Sequence, residues 1–223
     1  MAGSGAELLA RVRREIGGGE NLLVPLIAAG QAPVETLRAF AAEEFHIVRS
    51  DWRAFLALAA QSNVQAQREF FSTVASGEGL ALAKLRDFAA ATGLSDDDLA
   101  TYRPLPGCQS YPAYVAWLTL NGDPHDALLA ILANFAEWGG YCAAIAKALR
   151  EHYGFDAEGT AFFDFFAEPA PELDALGLRA LDDVLATGWT PDRAIGYARL
   201  LHAYELSFWN TLAHSRESAT PAP

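Results

Sequence analysis

Three stretches of the chain repeat their apolar residues at alternating spacings of three and four, the period of a helix that buries one stripe. In 190–214 the stripe runs Ile195, Ala198, His202, Glu205, Trp209, Leu212, so a histidine and a carboxylate occupy its centre. In 33–61 it passes through Leu37, Phe40 or Ala41, Glu44, Ile47, Asp51, Phe55 and Leu58. In 124–153 it is Leu128, Ile131, Phe135, Trp138, Cys142, Ile145 and Leu149, apolar throughout. Pro, Gly and Asx residues divide the remainder into helices expected at 5–16, 20–30, 64–76, 80–92, 96–101, 111–121, 157–167 and 171–187. Pro33, Pro112, Pro124 and Pro191 stand near predicted starts, where a missing N–H costs nothing. No strand pattern competes, so the expected fold class is all-α.

The segment 127–146 holds a single charge, Glu137, and is long enough to cross a bilayer. Its Ala/Gly content, its central carboxylate and the amphipathicity of every other element favour a buried bundle helix, expected to pack against 33–61 and 190–214. Composition strengthens the helical reading: 44 of 223 residues are alanine, the strongest helix former. The chain is expected to be one domain over 1–223, with a frayed polar tail at about 215–223. A net charge of −12 repels phosphate backbones and acidic headgroups, which argues against nucleic acid or a membrane surface as partner. Cys108 and Cys142 lie far apart and form neither a disulfide framework nor a zinc motif, and residues 1–20 have no apolar run long enough for an export signal. A cytoplasmic location is expected.

Polar residues inside apolar stripes are the candidates for chemistry, because a buried carboxylate must be paired, hydrogen-bonded or functional. His202 and Glu205 either satisfy each other within one helix or face a cavity. Glu44 and Asp51, flanked by Glu43 and His46, either bring negative charge to the same interior or rotate outward. Glu137 lies off its helix's apolar stripe, on a lane of small residues with Ala130, Ala133, Gly140, Tyr141 and Ala144. That lane is either a close helix–helix ridge or the volume of a pocket for a cationic or amine-bearing ligand. Tyr111, Tyr114 and Trp117 supply aromatic walls that suit a flat heteroaromatic molecule, or serve as core.

Several of these segments resemble the TenA/thiaminase II family, whose fold is haem-oxygenase-like. LLHAYELSFWNTLA (200–213) is similar to the family's terminal E-x-x-F-W helix, which makes Glu205 the pocket carboxylate. FAAEEFHIVRSDWRAFLALAA (40–60) resembles the segment whose acid, here Glu44, holds a pyrimidine, and SYPAYVAWL places Tyr111 on a pocket tyrosine. FFDFFAEP (162–169) resembles a segment that ordinarily supplies a further tyrosine, replaced here by phenylalanine, expected at Phe166; another family tyrosine is Ile47. The nucleophilic cysteine of thiaminase II is replaced by Ala136-Glu137, so the covalent thiol mechanism does not carry over. This departure resembles a branch of the family that uses a pocket glutamate in salvage of thiamin pyrimidine products.

The resemblance implies a hydrolase of an aminopyrimidine or related small amine, without cofactor or metal, in a homodimer or homotetramer. Glu137 and Glu205 are its expected catalytic residues; Glu44, Ile47, Tyr111, Tyr114, Tyr141, Phe166 and His202 line the expected binding site. Glu44, Tyr111, Glu137 and Glu205 are expected in one enclosed pocket. Two alternatives share the fold. A non-haem iron oxygenase would draw ligands from Glu43 or Glu44, His46, Glu137, His202 and Glu205, and a regulatory protein would bind without catalysis. Haem is disfavoured because the first histidine is His46, far beyond the early helix where a proximal ligand is expected.

Overall fold

The computed structural model describes residues 4–215, apart from the side chain of Ala136. Among them ten helices follow one another: α1 (Gly5–Ile16), α2 (Leu23–Ala28), α3 (Val34–Gln61), α4 (Gln65–Ala91), α5 (Asp96–Thr101), α6 (Pro106–Asn121), α7 (Pro124–His152), α8 (Ala157–Ala167), α9 (Pro171–Ala186) and α10 (Asp192–His214). No strand occurs among the described residues. The tail expected to fray, 216–223, lies outside them; Ser215 is described as a turn.

Local chemistry explains most boundaries. Ser4 caps α1 in a reciprocal box with Glu7, Asp123 caps α7 ahead of Pro124, and Asp156 caps α8. Two boundaries differ from the sequence reading. Helix α4 runs unbroken through Gly77-Glu78-Gly79, where a break is expected from two glycines. Tertiary packing outweighs their poor helix propensity: α4 packs along α3, with the Trp52 indole at ordinary contact distance, 3.4 Å, from where a Cβ on Gly79 would stand. Helix α6 begins at Pro106, five residues before the expected start, because Pro106 takes the first helical position and the preceding Leu105 N–H is held by the Glu43 carboxylate at 2.7 Å. Pro112 therefore sits inside the helix rather than opening it.

Two apolar clusters make the core. One gathers α1, the C-terminal half of α3, the N-terminal halves of α4, α7 and α10, and α9. The other gathers α2, the N-terminal half of α3, the C-terminal halves of α4, α7 and α10, and α8. Helices α3, α4, α7 and α10 thread both. Phe40, fully buried, stacks its ring against Phe88, Phe163, Phe208 and Trp209, joining α3 to α4, α8 and α10.

Helix α7 is long and apolar enough to cross a membrane by length and composition, yet the fold wraps it with α1, α2, α8, α9 and α10. Its first half, Ala127 to Ala133, is buried on every side. Beyond that it is amphipathic: Ile145 and Leu149 are buried, Phe135 is half-buried, and Glu137, Gly140, Ala143 and Lys147 face outward. The expected packing of α7 on α10 is present, but α7 and α3 are not close neighbours. A cavity separates them.

Candidate active site

The cavity, about 590 Å³, lies where the two apolar clusters meet and is walled by α3, α4, α6, α7, α8, α9 and α10. Its volume is that of a small-molecule site. Exposed Glu168, Pro169 and Ala170, in the turn between α8 and α9, line its rim together with exposed Asp174. Aromatic rings form much of the wall, among them Phe55, Phe135, Trp138, Phe165, Phe166 and Phe208. The polar groups that face it are almost all acids: Glu44 and Asp51 from α3, Glu78 from α4 and Glu205 from α10, with Tyr111 and Asn134 beside them. No lining residue is basic.

Helix geometry brings these acids inside. Glu44, Ile47, Val48, Asp51 and Phe55 all line the cavity, so one continuous face of α3 fronts it and the outward rotation does not occur. Glu44, Asp51 and Glu205 are buried. Burial pushes the Glu205 carboxyl up to about 7, opposed by the Trp209 indole N–H and the nearby Asn134 amide and reinforced by Glu137. The Trp209 indole N–H donates to Glu205 Oε1 at 3.4 Å, while Oε2 is buried without a partner among the described residues. Burial pushes Asp51 up to about 8. Glu44 is raised well above the usual carboxylate range by burial and then by repulsion from Asp51, Glu78, Glu205 and Glu43. Glu78 is raised by burial and by Asp51, and the Tyr111 phenol is raised by burial and by all four acids. Carboxyls of this kind can donate as well as accept, and Glu205, poised near neutrality, can exchange a proton with a bound nitrogen or water.

The structure places five of the expected site residues together here: Glu44, Ile47, Tyr111, Phe166 and Glu205. It does not bring Glu137 among them. The Glu137 side chain is 48% exposed, accepts a hydrogen bond from Tyr141 Oη at 3.0 Å and lies 4.0 Å from His202 Nδ1. The lane of small residues it shares is split: Ala130 and Ala133 are packed into the core, while Gly140, where a Cβ would meet nothing within 4 Å, lies on the outer face of α7, so the lane encloses no pocket. Tyr141 stands with Glu137, its ring edge-on to Trp209 at 5.5 Å. His202 is buried, but its Nε2 pairs with the Gly18 carbonyl at 3.0 Å rather than with Glu205 or the cavity. Tyr114 stacks on Trp117 at 5.7 Å and lines no part of the cavity.

The residues named for an iron site also diverge. Glu43 accepts from Tyr102 Oη at 2.9 Å and from the Leu105 N–H, anchoring the α5–α6 connection. His46 stacks on Tyr102, Glu137 and His202 meet near the surface, and Glu205 alone of them faces the cavity with Glu44. Among the described residues no group of three or more His, Cys, Asp and Glu is arranged to hold a metal ion. Both cysteines are buried outside the cavity lining, and burial raises their thiols, so neither is placed or ionised to attack a ligand there.

Asp51 was legible as a carboxylate in the α3 stripe without being assigned to the site; Glu78 and Asn134 were missed. Glu78 sat in an expected break between helices. Asn134 is the one polar residue in the otherwise apolar run 127–136, and that contrast was the available signal.

A family model, the TENA/THI-4/PQQC family, matches residues 23–213. No curated protein sequence matches the chain. Among solved structures, a TenA family transcription regulator from Silicibacter sp. TM1040 is similar with a TM-score of 0.74 at 19% identity, over 95% of this chain and 97% of that one. A TenA homologue from Pseudomonas syringae pv. tomato DC3000 gives a TM-score of 0.76 at 11% identity, over 93% and 92%. A domain with a haem-oxygenase-like fold from Shewanella denitrificans OS217 gives 0.71 at 14%, over 95% and 91%. These likenesses show the fold, which is haem-oxygenase-like. With the family model spanning every wall of the cavity, the chain belongs to the TENA/THI-4/PQQC family.

Proposed function

We propose that the protein binds and hydrolyses an amine-bearing heteroaromatic, an aminopyrimidine or a close relative, in the cavity between α3 and α7. The observation that carries this reading is the convergence of Glu44, Asp51, Glu78 and Glu205 on one aromatic-walled cavity with no basic residue in its lining. Such a site favours a ligand that is flat and rich in N–H donors, because aromatic walls stack the ring and carboxyls accept from exocyclic and ring nitrogens. An anionic ligand would find no basic partner in this lining and would be repelled by any of the carboxyls that is ionised. Neither cysteine lines the cavity, which supports a reaction without a thiol nucleophile, as in the family branch that the sequence resembles.

Glu205 takes the acid–base role in this reading, because Glu137 stands outside the cavity. Its Oε1 is held by Trp209 and its Oε2 is free to meet a water or the leaving nitrogen. With its carboxyl near 7, Glu205 accepts a proton from water as the oxygen adds to the ring carbon, then returns it to the departing nitrogen. A C–O bond forms, a C–N bond breaks, and ammonia or an amine leaves; the carboxylate ends as it began. Glu44 orients the ring nitrogens, and Tyr111 lines the same cavity from α6.

The test is release of ammonia or amine from a panel of aminopyrimidines, followed by mass spectrometry of the hydroxylated product. Glu205→Gln is expected to reduce turnover by about 10²–10⁴-fold, while Glu137→Gln leaves it within about twofold, as a change on an exposed side chain should. Equal loss in the two variants would return the acid–base role to Glu137. Turnover surviving in Glu205→Gln would remove it from this site. Iron and manganese assayed in the same protein address the oxygenase alternative, which requires stoichiometric metal.

A further inference from the structure

Helix α3 fronts the cavity with Glu44, Val48, Asp51 and Phe55. Two residues further along in each case, about 200° of helix rotation, stand His46, Ser50, Arg53 and Ala57, which make the opposite face of the same helix. There they line a second hollow, an open groove of about 410 Å³ between α3 and α6, together with Arg49 of α3 and Ala116 and Leu120 of α6. The groove has the volume of a small-molecule site, and it shares no lining residue with the cavity.

Its charge is the reverse of the molecule's. The chain carries 28 acids, yet none falls in 52–68, which includes the C-terminal part of α3, or in 99–122, which includes all of α6. No acid lines the groove, whereas Arg49 and Arg53 do. Elsewhere arginines find carboxylates: Arg86 with Asp96, Arg179 with Glu69, Arg193 with Asp126 and Arg199 with Glu15. Exposed Arg49 and Arg53 pair with no acid among the described residues. Arg53 and the Ser50 hydroxyl form no hydrogen bond there either, while the Arg49 guanidinium stacks 5.1 Å from the centre of the Phe45 ring. That stacking holds the guanidinium in place and leaves the N–H donors in its plane unused.

We propose that this groove binds a small phosphomonoester with an apolar body, at a site separate from the amine cavity and independent of its reaction. Arg49 and Arg53 stand one turn apart on α3, with Cβ atoms about 6 Å from each other, and Ser50 lies between them in sequence. Two guanidinium forks and a hydroxyl call for more acceptor oxygens than a carboxylate has. A phosphomonoester offers three terminal oxygens and a charge of about −1.5 to −2, matched to the two arginines. Ala54, Ala57 and Ala116 leave the groove clear of side-chain bulk, and Leu120, 81% exposed, gives the body of the ligand an apolar wall. The net charge of −12 opposes any anion at long range, so binding here has to come from direct contact with these donors.

Calorimetric titration of the full chain with phenyl phosphate tests this, beside phenol as the uncharged counterpart, benzoate as the carboxylate and inorganic phosphate as the anion without a body. Phenyl phosphate is expected to fill one saturable site, at least about tenfold more tightly than phenol, the worth of one charge-assisted hydrogen bond, and more tightly than benzoate or inorganic phosphate. Arg49→Gln and Arg53→Gln should each weaken it by about tenfold or more. Arg14→Gln, which removes the same charge from an exposed position on α1, should leave it unchanged, as should Glu205→Gln in the cavity. Absence of saturable binding in the millimolar range, the result if a second copy of the chain covers this face, would overturn the proposal. So would binding that survives both Arg49→Gln and Arg53→Gln, an equal loss in Arg14→Gln or in Glu205→Gln, or any of the three comparison probes binding as tightly as phenyl phosphate.

Discussion

Asp51 and Glu205 titrate near neutrality because each is removed from water, and this gives the fold a pH dependence of definite sign. Their folded-state values, about 8 and about 7, stand above the ordinary 3.8 and 4.5. The folded state therefore binds more protons than the unfolded chain through this window, and stability falls as pH rises. The favourable contribution is complete below about pH 4 and is lost once pH passes the folded values. Each group costs about 1.4 kcal/mol per pH unit inside the window. Wild type should lose stability between pH 5 and pH 7, and Asp51→Asn should flatten the slope by on the order of 2 kcal/mol over that span, read from urea unfolding at each pH. An unchanged slope would mean that Asp51 is not held protonated in the folded protein. These residues also mark how far sequence reading reached. Glu44 and Glu205 were legible because a carboxylate in an apolar stripe must have a reason. Glu137 misled because an acid among small residues reads as a pocket or as the edge of a close helix–helix ridge, and the rotation of α7 turns it to neither but outward.

At the scale of elements, eight of the ten helices coincide with expected ones, since Asx caps, Pro starts and stripe periodicity are local signals. The exceptions are non-local. Two glycines in α4 read as a break, but α4 packs along the length of α3, with the Trp52 indole beside Gly79, and the helix stays continuous. The start of α6 depends on Glu43, more than sixty positions earlier in the chain, whose carboxylate holds the Leu105 N–H. The gap between α3 and α7 is likewise invisible to periodicity: each helix presents a stripe, and whether two stripes touch or face a void depends on the volume of every neighbour. Phe40 ties the elements around that void. Phe40→Ala should cost about 3–5 kcal/mol by cavity formation, measured as a loss in unfolding free energy. It should also reduce ligand affinity, because Phe208 and Trp209, its ring neighbours, flank the Glu205 site. A loss below about 1 kcal/mol would show that the aromatic cluster repacks around the deletion.

Across the whole molecule, the net charge of −12 and the acidic cavity act in the same direction. The surface field attracts cations, the rim carries Glu168 and Asp174, and the interior supplies Glu44, Asp51, Glu78 and Glu205, carboxyls that can accept from an amine and give up a proton to it. The homodimer or homotetramer expected from the family resemblance is checked by light scattering: a mass at two or four times 24.0 kDa is the expected result, and a monomer at micromolar concentration would refute it. The most direct test of the account is isothermal titration of 4-aminopyrimidine into wild type, Glu205→Gln and Glu137→Gln at neutral pH. The account predicts one site per chain in wild type, an affinity at least about tenfold weaker in Glu205→Gln through the loss of a charged acceptor, and unchanged binding in Glu137→Gln. Binding that ignores Glu205 but collapses in Glu137→Gln would contradict it, as would no binding to wild type at all.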